Sequence, residues 1–260
     1  MADELVHYAV ADGVATLTLD SPHNRNALSA QLRGELSDGL ARAVDDEAVR
    51  VIVLDHTGPV FCAGMDLKEA KGAGEGQQGV NDFPDLLQRL WTGPKPVVAR
   101  LAGPARAGGI GLVAAADIAV AVETATFAFT EVRIGVVPAV ISVPVLPRLD
   151  ARAAHELLLT GDTFDARRAA DIGLLNAAVP ADELDATVRR YVDSLVRGAP
   201  TALAATKELL QGETGRTMPE RFEAMQGLSA RFFASAEGQE GIAAFAEKRT
   251  PAWVPGGADG

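Results

Sequence analysis

The run Lys95–Gly103, rich in apolar β-formers, leads directly into Pro104-Ala105-Arg106-Ala107-Gly108-Gly109-Ile110-Gly111 and then into the alanine-rich Leu112–Asp117. A strand that feeds a helix through glycines builds an anion site. Glycine lets the backbone approach a ligand closely, and the first turn of a helix presents N–H groups without intrahelical partners at the positive end of its dipole. The rest of the chain has to say which anion.

Composition narrows the choice. With 260 residues and a net charge of −11, the chain has no basic run to offset its acidic field, which argues against nucleic acid or an anionic membrane as the main partner. Hydrophobic residues make up 48%, enough to fill the core of one large domain without staples. The single cysteine, Cys62, excludes an intrachain disulfide and a cysteine zinc cluster and fits a reducing compartment. The start has no basic segment followed by an apolar one, and no run reaches the ~18 apolar residues of a membrane span. The expectation is a cytoplasmic protein without a metal.

Two strands, Leu5–Val10 and Val14–Asp20, flank Asp12-Gly13, a dipeptide suited to a tight hairpin, and Ser21–Asn26 follows as a loop. Ser29 caps a helix in which Leu32, Leu36, Leu40 and Val44 form one apolar stripe. Val49–Asp55 reads as a buried strand delivering a second glycine loop, Thr57–Asp66. Lys71–Val80 is a surface loop, and Asn81 caps a helix that closes at Gly93-Pro94. Further strands fall at Ile118–Val122 and Thr126–Phe129, and Pro138, Pro144 and Pro147 interrupt the next segment. Asp150–Thr160 and Asp165–Ile172 are Asp-capped helices stopped by Gly161 and Gly173. Leu174–Val179 is a strand, and beyond Asp182 the chain is helical. This predicts one α/β core with a helical C-terminal layer.

Much chemistry is excluded. His7, His23, His56 and His155 each lack the neighbours of a triad or ligand set, and no nucleophile elbow, His-Glu-x-x-His or Walker loop is present. Gly109-Ile110-Gly111-Leu112-Val113-Ala114 matches a dinucleotide fingerprint, but Pro104–Gly108 intervene after the strand, and the acidic Glu131 follows a strand pair rather than a single crossover.

Four pieces together say more. Arg25-Asn26-Ala27-Leu28, Phe61–Leu67, Ala107–Gly111 with Ala116-Asp117-Ile118, and Phe129–Gly135 with Pro138 resemble, in order and spacing, the enoyl-CoA hydratase/isomerase (crotonase) family. Leu159-Thr160-Gly161, Ala169–Leu175 and the ending Phe245–Trp253 extend the resemblance over nearly the whole chain. It implies a crotonase-like spiral of ββα units, with a core at 1–195 and a helical C-terminal oligomerisation region at 196–260.

The resemblance implies an acyl-CoA thioester as substrate, with CoA part of that substrate and no separate cofactor. The backbone N–H groups of Met65 and Gly108 would hold the enolate oxygen. Arg25, Asn26 and Ala27 would line the CoA tail, with Ala63, Asp66 and Leu67 near adenine and pantetheine; Lys68 and Lys71 would meet phosphates. The bland readings are helix capping for Asp66, a solvated face for the lysines and core for Phe232, Phe233 and Phe245. Lys248 and Arg249 fall where such proteins bring a neighbouring subunit's C-terminal segment over the CoA, implying a homotrimer or a dimer of trimers.

Acid and base decide the reaction. Glu131 stands at a family glutamate position, and Phe129, Val132 and Ile134 are expected to desolvate it; the alternative is a surface carboxylate paired with Arg133. The family's second glutamate is here Gly111. With Pro138-Ala139-Val140-Ile141-Ser142 this is similar to the subset that includes bacterial methylglutaconyl-CoA-type hydratases. Arg106, just before the glycines, offers a cation to a second, acyl-borne carboxylate. Three readings stand: a hydratase, a lyase adding water to a 2-enoyl-CoA on a branched or dicarboxylic acyl group; a double-bond isomerase using Glu131 alone; and a non-catalytic acyl-CoA binding protein.

Overall fold

The computed structural model describes residues 4–70, 82–211, 235–247 and 249–254. The chain opens with a hairpin, β1 (Val6–Ala11) and β2 (Val14–Leu19), whose turn residues Asp12 and Gly13 have φ of 50° and 78°. A 3₁₀ turn at Pro22–Asn24 occupies part of the expected loop. Helix α1 (Ala30–Asp45) begins where Ser29 accepts the Leu32 N–H at 3.2 Å. Its buried stripe runs Leu32, Leu36, Leu40 and Ala43, with Val44 turned partly to the surface because 3.6 residues per turn do not sustain a spacing of four.

Strand β3 (Val51–His56) is almost wholly buried, as its apolar run demands, and is followed by the short α2 (Leu67–Ala70) and by α3 (Phe83–Thr92). The N-cap of α3 is Asp82; Asn81 lies outside the described residues, as does the expected loop Lys71–Val80. Then come β4 (Val97–Leu101), β5 (Ala105–Arg106), α4 (Gly108–Ala115), β6 (Ile118–Val122) and β7 (Thr126–Ala128). The three prolines do not break the next segment as expected. Pro138 stands at the N-cap of α5 (Ala139–Val145), Pro147 lies beyond its end, and Pro144 lies inside it, at the cost of its own bond to Val140 O.

Helix α6 (Ala151–Thr160) ends at Gly161 with φ of 65°, but Asp150 makes no side-chain cap bond. After β8 (Phe164–Asp165), Asp165 does cap α7 (Ala166–Asp171), accepting the Arg168 N–H at 2.7 Å. Only Ala177–Val179 of the strand expected from Leu174 forms (β9), followed by α8 (Leu184–Val196), α9 (Pro200–Leu210) and α10 (Ala236–Glu247).

Six strands form one sheet in the order β1-β2-β3-β4-β6-β9, parallel except for β1. A second sheet, β5-β7-β8, pairs β5 with β7 in parallel and β7 with β8 antiparallel. Residues Ala105 and Arg106 face Phe127 and Ala128 in register. Parallel neighbours leave a sheet at the same end, so the segments that carry Gly108 and Glu131 leave β5 and β7 at the same end. Among the described residues no helix is long and apolar enough to cross a membrane, and no three His, Cys, Asp or Glu converge as metal ligands.

Candidate active site

The two glycine loops are stitched together by backbone bonds. The Phe61 N–H donates to Pro104 O (3.0 Å) and the Arg106 N–H to Cys62 O (3.0 Å). Gly109 packs so tightly on Cys62 that a Cβ there would lie 2.5 Å from the Cys62 carbonyl oxygen. Cys62 is fully buried, its thiol pushed up to about 12 by desolvation, so it serves packing rather than nucleophilic chemistry.

Gly64, with φ of 91°, touches the next turn of the glycine segment: a Cβ on it would stand 3.0 Å from the Ala107 Cβ and 3.3 Å from the Gly108 nitrogen. A Cβ on Gly108 would in turn lie 3.6 Å from the Met65 nitrogen. Neither the Met65 nor the Gly108 N–H reaches an acceptor among the described residues. Two adjacent unpartnered N–H groups, one at the start of a buried helix, can hold one oxyanion.

Just before Gly108, Ala107 adopts φ 47° and ψ −119°, a region that L residues rarely occupy. It is held there by its N–H to Ala128 O (3.1 Å) and by its carbonyl, which accepts from Ile110 and Gly111. Helix α4 beyond it is buried along its whole length.

Glu131 sits in a 3₁₀ turn, Thr130–Ile134, and is 9% exposed. Its Oε2 is buried with no hydrogen-bond partner among the described residues. Desolvation raises its pKa above the ordinary glutamate value, against a smaller lowering by its own backbone N–H. Phe129 is buried, as expected, but Val132 and Ile134 are 37% and 54% exposed and do not shield the carboxyl. Past Glu131 the chain runs along the surface from Val132 to Val137, so the residues that follow it do not cover it. Arg133 is not its partner either, since it pairs with Asp162 at 2.5 Å.

A Cβ on Gly111 would meet Ile141 Cγ2 at 2.8 Å and Leu87 Cδ2 at 3.6 Å. The place of a second carboxylate is therefore filled by aliphatic carbon from α3 and α5. That contact was not readable from the chain, because Ile141 comes from a helix that the prolines argued against. The Arg106 guanidinium donates to Thr126 O, to Thr126 Oγ1 (2.8 Å) and to Ala105 O (2.9 Å).

Of the expected CoA-lining residues, Arg25 is exposed, with φ of 62°, and its carbonyl accepts the Ala63 N–H at 3.0 Å. Asn26 is fully buried and its side chain is committed to the fold: Oδ1 accepts from the Ser21 N–H (2.7 Å), and Nδ2 donates to Thr57 O (3.0 Å) and Val60 O (2.8 Å). It has no amide proton left for a ligand. Ala27 is buried and Ala63 half-buried. Asp66 accepts the Lys68 N–H at 2.9 Å, which is helix capping at α2, and Lys68 is exposed. The Leu67 and Phe245 side chains lie outside the described residues, as do Lys71, Phe232, Phe233 and Lys248 entirely. Arg249 pairs with Glu240 and Glu247 of its own chain, each at 2.6 Å.

His56 is structural. Its Nε2 accepts the Ala102 N–H (3.0 Å) while Nδ1 bonds Thr57 O, and burial lowers its pKa, which keeps it neutral. Since each buried polar group left unpaired costs about 1–3 kcal/mol, Asn26→Ala should lower stability by on the order of 3–5 kcal/mol, read as a fall in the urea midpoint.

These features define an α/β protein with two adjacent unpartnered N–H groups where its glycine loops meet, and a buried, unpartnered carboxyl. Residues 9–255 match the family model described as Enoyl-CoA hydratase/isomerase. A Thermus thermophilus protein named provisionally as an enoyl-CoA hydratase is 37% identical over 92% of this chain and 96% of its own. The carnitinyl-CoA dehydratase of Proteus mirabilis is 34% identical over 95% and 97%. The crystal structure of an enoyl-CoA hydratase from Mycobacterium avium matches with a TM-score of 0.74 and 46% identity, over 97% of this chain and all of that one. The chain belongs to the enoyl-CoA hydratase/isomerase, or crotonase, family and has its fold.

Proposed function

We propose that this protein is an acyl-CoA lyase that adds water to a 2-enoyl-CoA, with Glu131 as acid and base and the Met65 and Gly108 N–H groups as the oxyanion hole. The observation that carries the reading is the buried, unpartnered Glu131 carboxyl, whose segment leaves the β5–β7 pair at the same end as the Gly108 helix start. Names of relatives, a hydratase and a dehydratase of acyl-CoA compounds, support the lyase class.

In this mechanism the Glu131 carboxylate takes a proton from water as the water oxygen bonds to the β-carbon. The π electrons move through the α-carbon onto the thioester oxygen, where the two N–H groups receive the charge. The enolate then collapses and the α-carbon takes the proton back from Glu131, so H and OH are added and the carboxylate is regenerated. Arg25, Ala27, Ala63, Asp66, Leu67, Lys68 and Lys248 are assigned to CoA. Asn26 acts on that ligand through the loop it holds.

One observation favours a second reading. Ile141 and Leu87 put aliphatic surface where a water-holding group would stand, and a 1,3-proton shift by Glu131 alone needs no such group. Absorbance of the conjugated thioester separates the two: hydration of a 2-enoyl-CoA removes it, and isomerisation of a 3-enoyl-CoA creates it. No change with either substrate leaves only a binding protein.

Because the first step of either reaction needs the carboxylate, kcat/KM should fall as pH drops through the Glu131 pKa, which desolvation places above the usual glutamate value. A pH–rate profile with its acid limb at an ordinary carboxylate pKa would remove Glu131 from the base role.

For assembly, Val136, Val137 and Val143 are 51%, 75% and 75% exposed, an apolar strip beside the Glu131 turn that supports a contact between subunits. We assign the chain to a homotrimer or a dimer of trimers, with the helical region 196–260 contributing. Light scattering checks the mass.

A further inference from the structure

Helix α4 carries no charge of its own, yet its rear end is enclosed by three charged side chains that the proposed reaction does not use. Arg148 donates from Nε to Ala114 O (3.1 Å) and from Nη2 to Ala116 O (3.0 Å), covering the carbonyls left open at the helix C-terminus. Its guanidinium also lies over the Trp91 ring, 4.5 Å from the centroid.

Just past the helix C-cap, Asp117 accepts the Val97 N–H (2.8 Å) and the Lys207 ammonium (2.7 Å). Lys207 is 6% exposed and donates as well to Leu90 O (2.8 Å) and Lys95 O (3.2 Å). It is the buried residue of α9, so the C-terminal layer reaches the core here through a charge. All three protons of the ammonium are committed, to the end of α3, the start of β4 and the end of α4.

An eight-residue helix is about 12 Å long, so this cluster stands at the opposite end of α4 from the Gly108 N–H. Between the two ends lie only Gly, Ala, Val, Leu and Ile, whose contacts are non-directional. At the front, Ala107 is in a strained conformation, which persists only where the surroundings over-determine it. The bonds of Ala107 to Ala128, Ile110 and Gly111 fix that residue locally, and the directional bonds at the rear fix the other end of the helix it opens.

We propose that Arg148, with the Asp117–Lys207 pair, is a positioning device that holds α4 forward against Ala107 and so fixes the Gly108 N–H beside that of Met65. This rests on the oxyanion role proposed for those two groups. Removing the guanidinium lets α4 slip, and a misplacement of about 1 Å at a reacting centre costs up to roughly 100-fold in rate.

The test uses Arg148→Met, assayed well below its melting temperature. The expected result is a fall in kcat of roughly 10–100-fold with KM within about twofold, partly restored in Arg148→Lys. A second readout separates position from folding: the carbonyl ¹³C shift of a crotonyl-CoA labelled at the thioester carbon, bound to Glu131→Gln, which cannot turn it over. In that background the carbonyl signal should move downfield on binding, and the added Arg148→Met should abolish most of that displacement. If the displacement and kcat survive in Arg148→Met, the positioning role is wrong while the oxyanion hole stands. If Glu131→Gln alone produces no displacement, the oxyanion assignment fails and this inference with it. Should Arg148→Met not fold, Lys207→Met is read the same way, and an unchanged displacement there overturns the proposal.

Discussion

Glu131→Gln should lower kcat by roughly 100- to 10,000-fold while leaving KM for the acyl-CoA nearly unchanged. Glutamine has the shape of the carboxyl and can neither take a proton from water nor return one to the α-carbon. The variant should also be as stable as the parent or more so, and this makes the result diagnostic. The folded-state pKa of Glu131 is raised by desolvation, so the native state binds its proton more tightly than the unfolded chain does. The carboxyl's ionisation therefore costs the fold nothing below its unfolded pKa, and the cost grows as pH rises to the folded value and then stays constant. At neutral pH a neutral amide removes that penalty. Loss of turnover with an equal or higher urea midpoint is the signature of a group kept for chemistry at the expense of stability. Turnover within tenfold of the parent would refute the base assignment.

Local chemistry carried much of the fold. Asp12 and Gly13 adopt the positive φ that their hairpin required, Ser29 and Asp165 cap their helices, and Gly161 closes α6 in the left-handed region. Each of those features is decided within a few residues. The misses belong to contacts between distant segments. Strand β5 is two residues long and exists because Phe127 and Ala128 pair with it; alone, Ala105-Arg106 has no period to read. Helix α5 forms across prolines because its buried side, Ile141 and Val145, packs into the core next to α4. The site divides the same way. The convergence of the Met65 and Gly108 loops was implied by the family resemblance. The surroundings of Glu131 did not: neighbours in sequence proved exposed, and the filling of the Gly111 space by Ile141 and Leu87 is a tertiary contact. Arg106 is the plainest case. Its position before the glycines suggested a ligand, and its hydrogen bonds to Thr126 and Ala105 were not legible in the sequence.

Gly108→Val should reduce kcat by on the order of 100- to 1,000-fold or more, whereas Met65→Ala should change it by less than about tenfold. Both positions are assigned the same task, so the contrast tests whether the backbone performs it. At Met65 the side chain can be cut back without moving the N–H. At Gly108 the first added carbon already stands 2.9 Å from Leu28 Cδ1 and 3.6 Å from the Met65 nitrogen. Leu28 is fully buried and bridges Met65 in parallel, with its N–H donating to Gly64 O at 2.8 Å, so pushing it aside also moves the second donor. Valine adds two more methyl groups near the space between the donors. Gly108→Ala should fall between the two, because its single carbon presses on the end of a flexible side chain that can yield by a few tenths of an ångström. Single-turnover loss of enoyl-thioester absorbance measures all three without interference from product release. A Gly108→Val enzyme with near-full activity would mean that the thioester oxygen lies elsewhere, and the anion for which this glycine segment is built would have to be sought among the phosphates of the CoA.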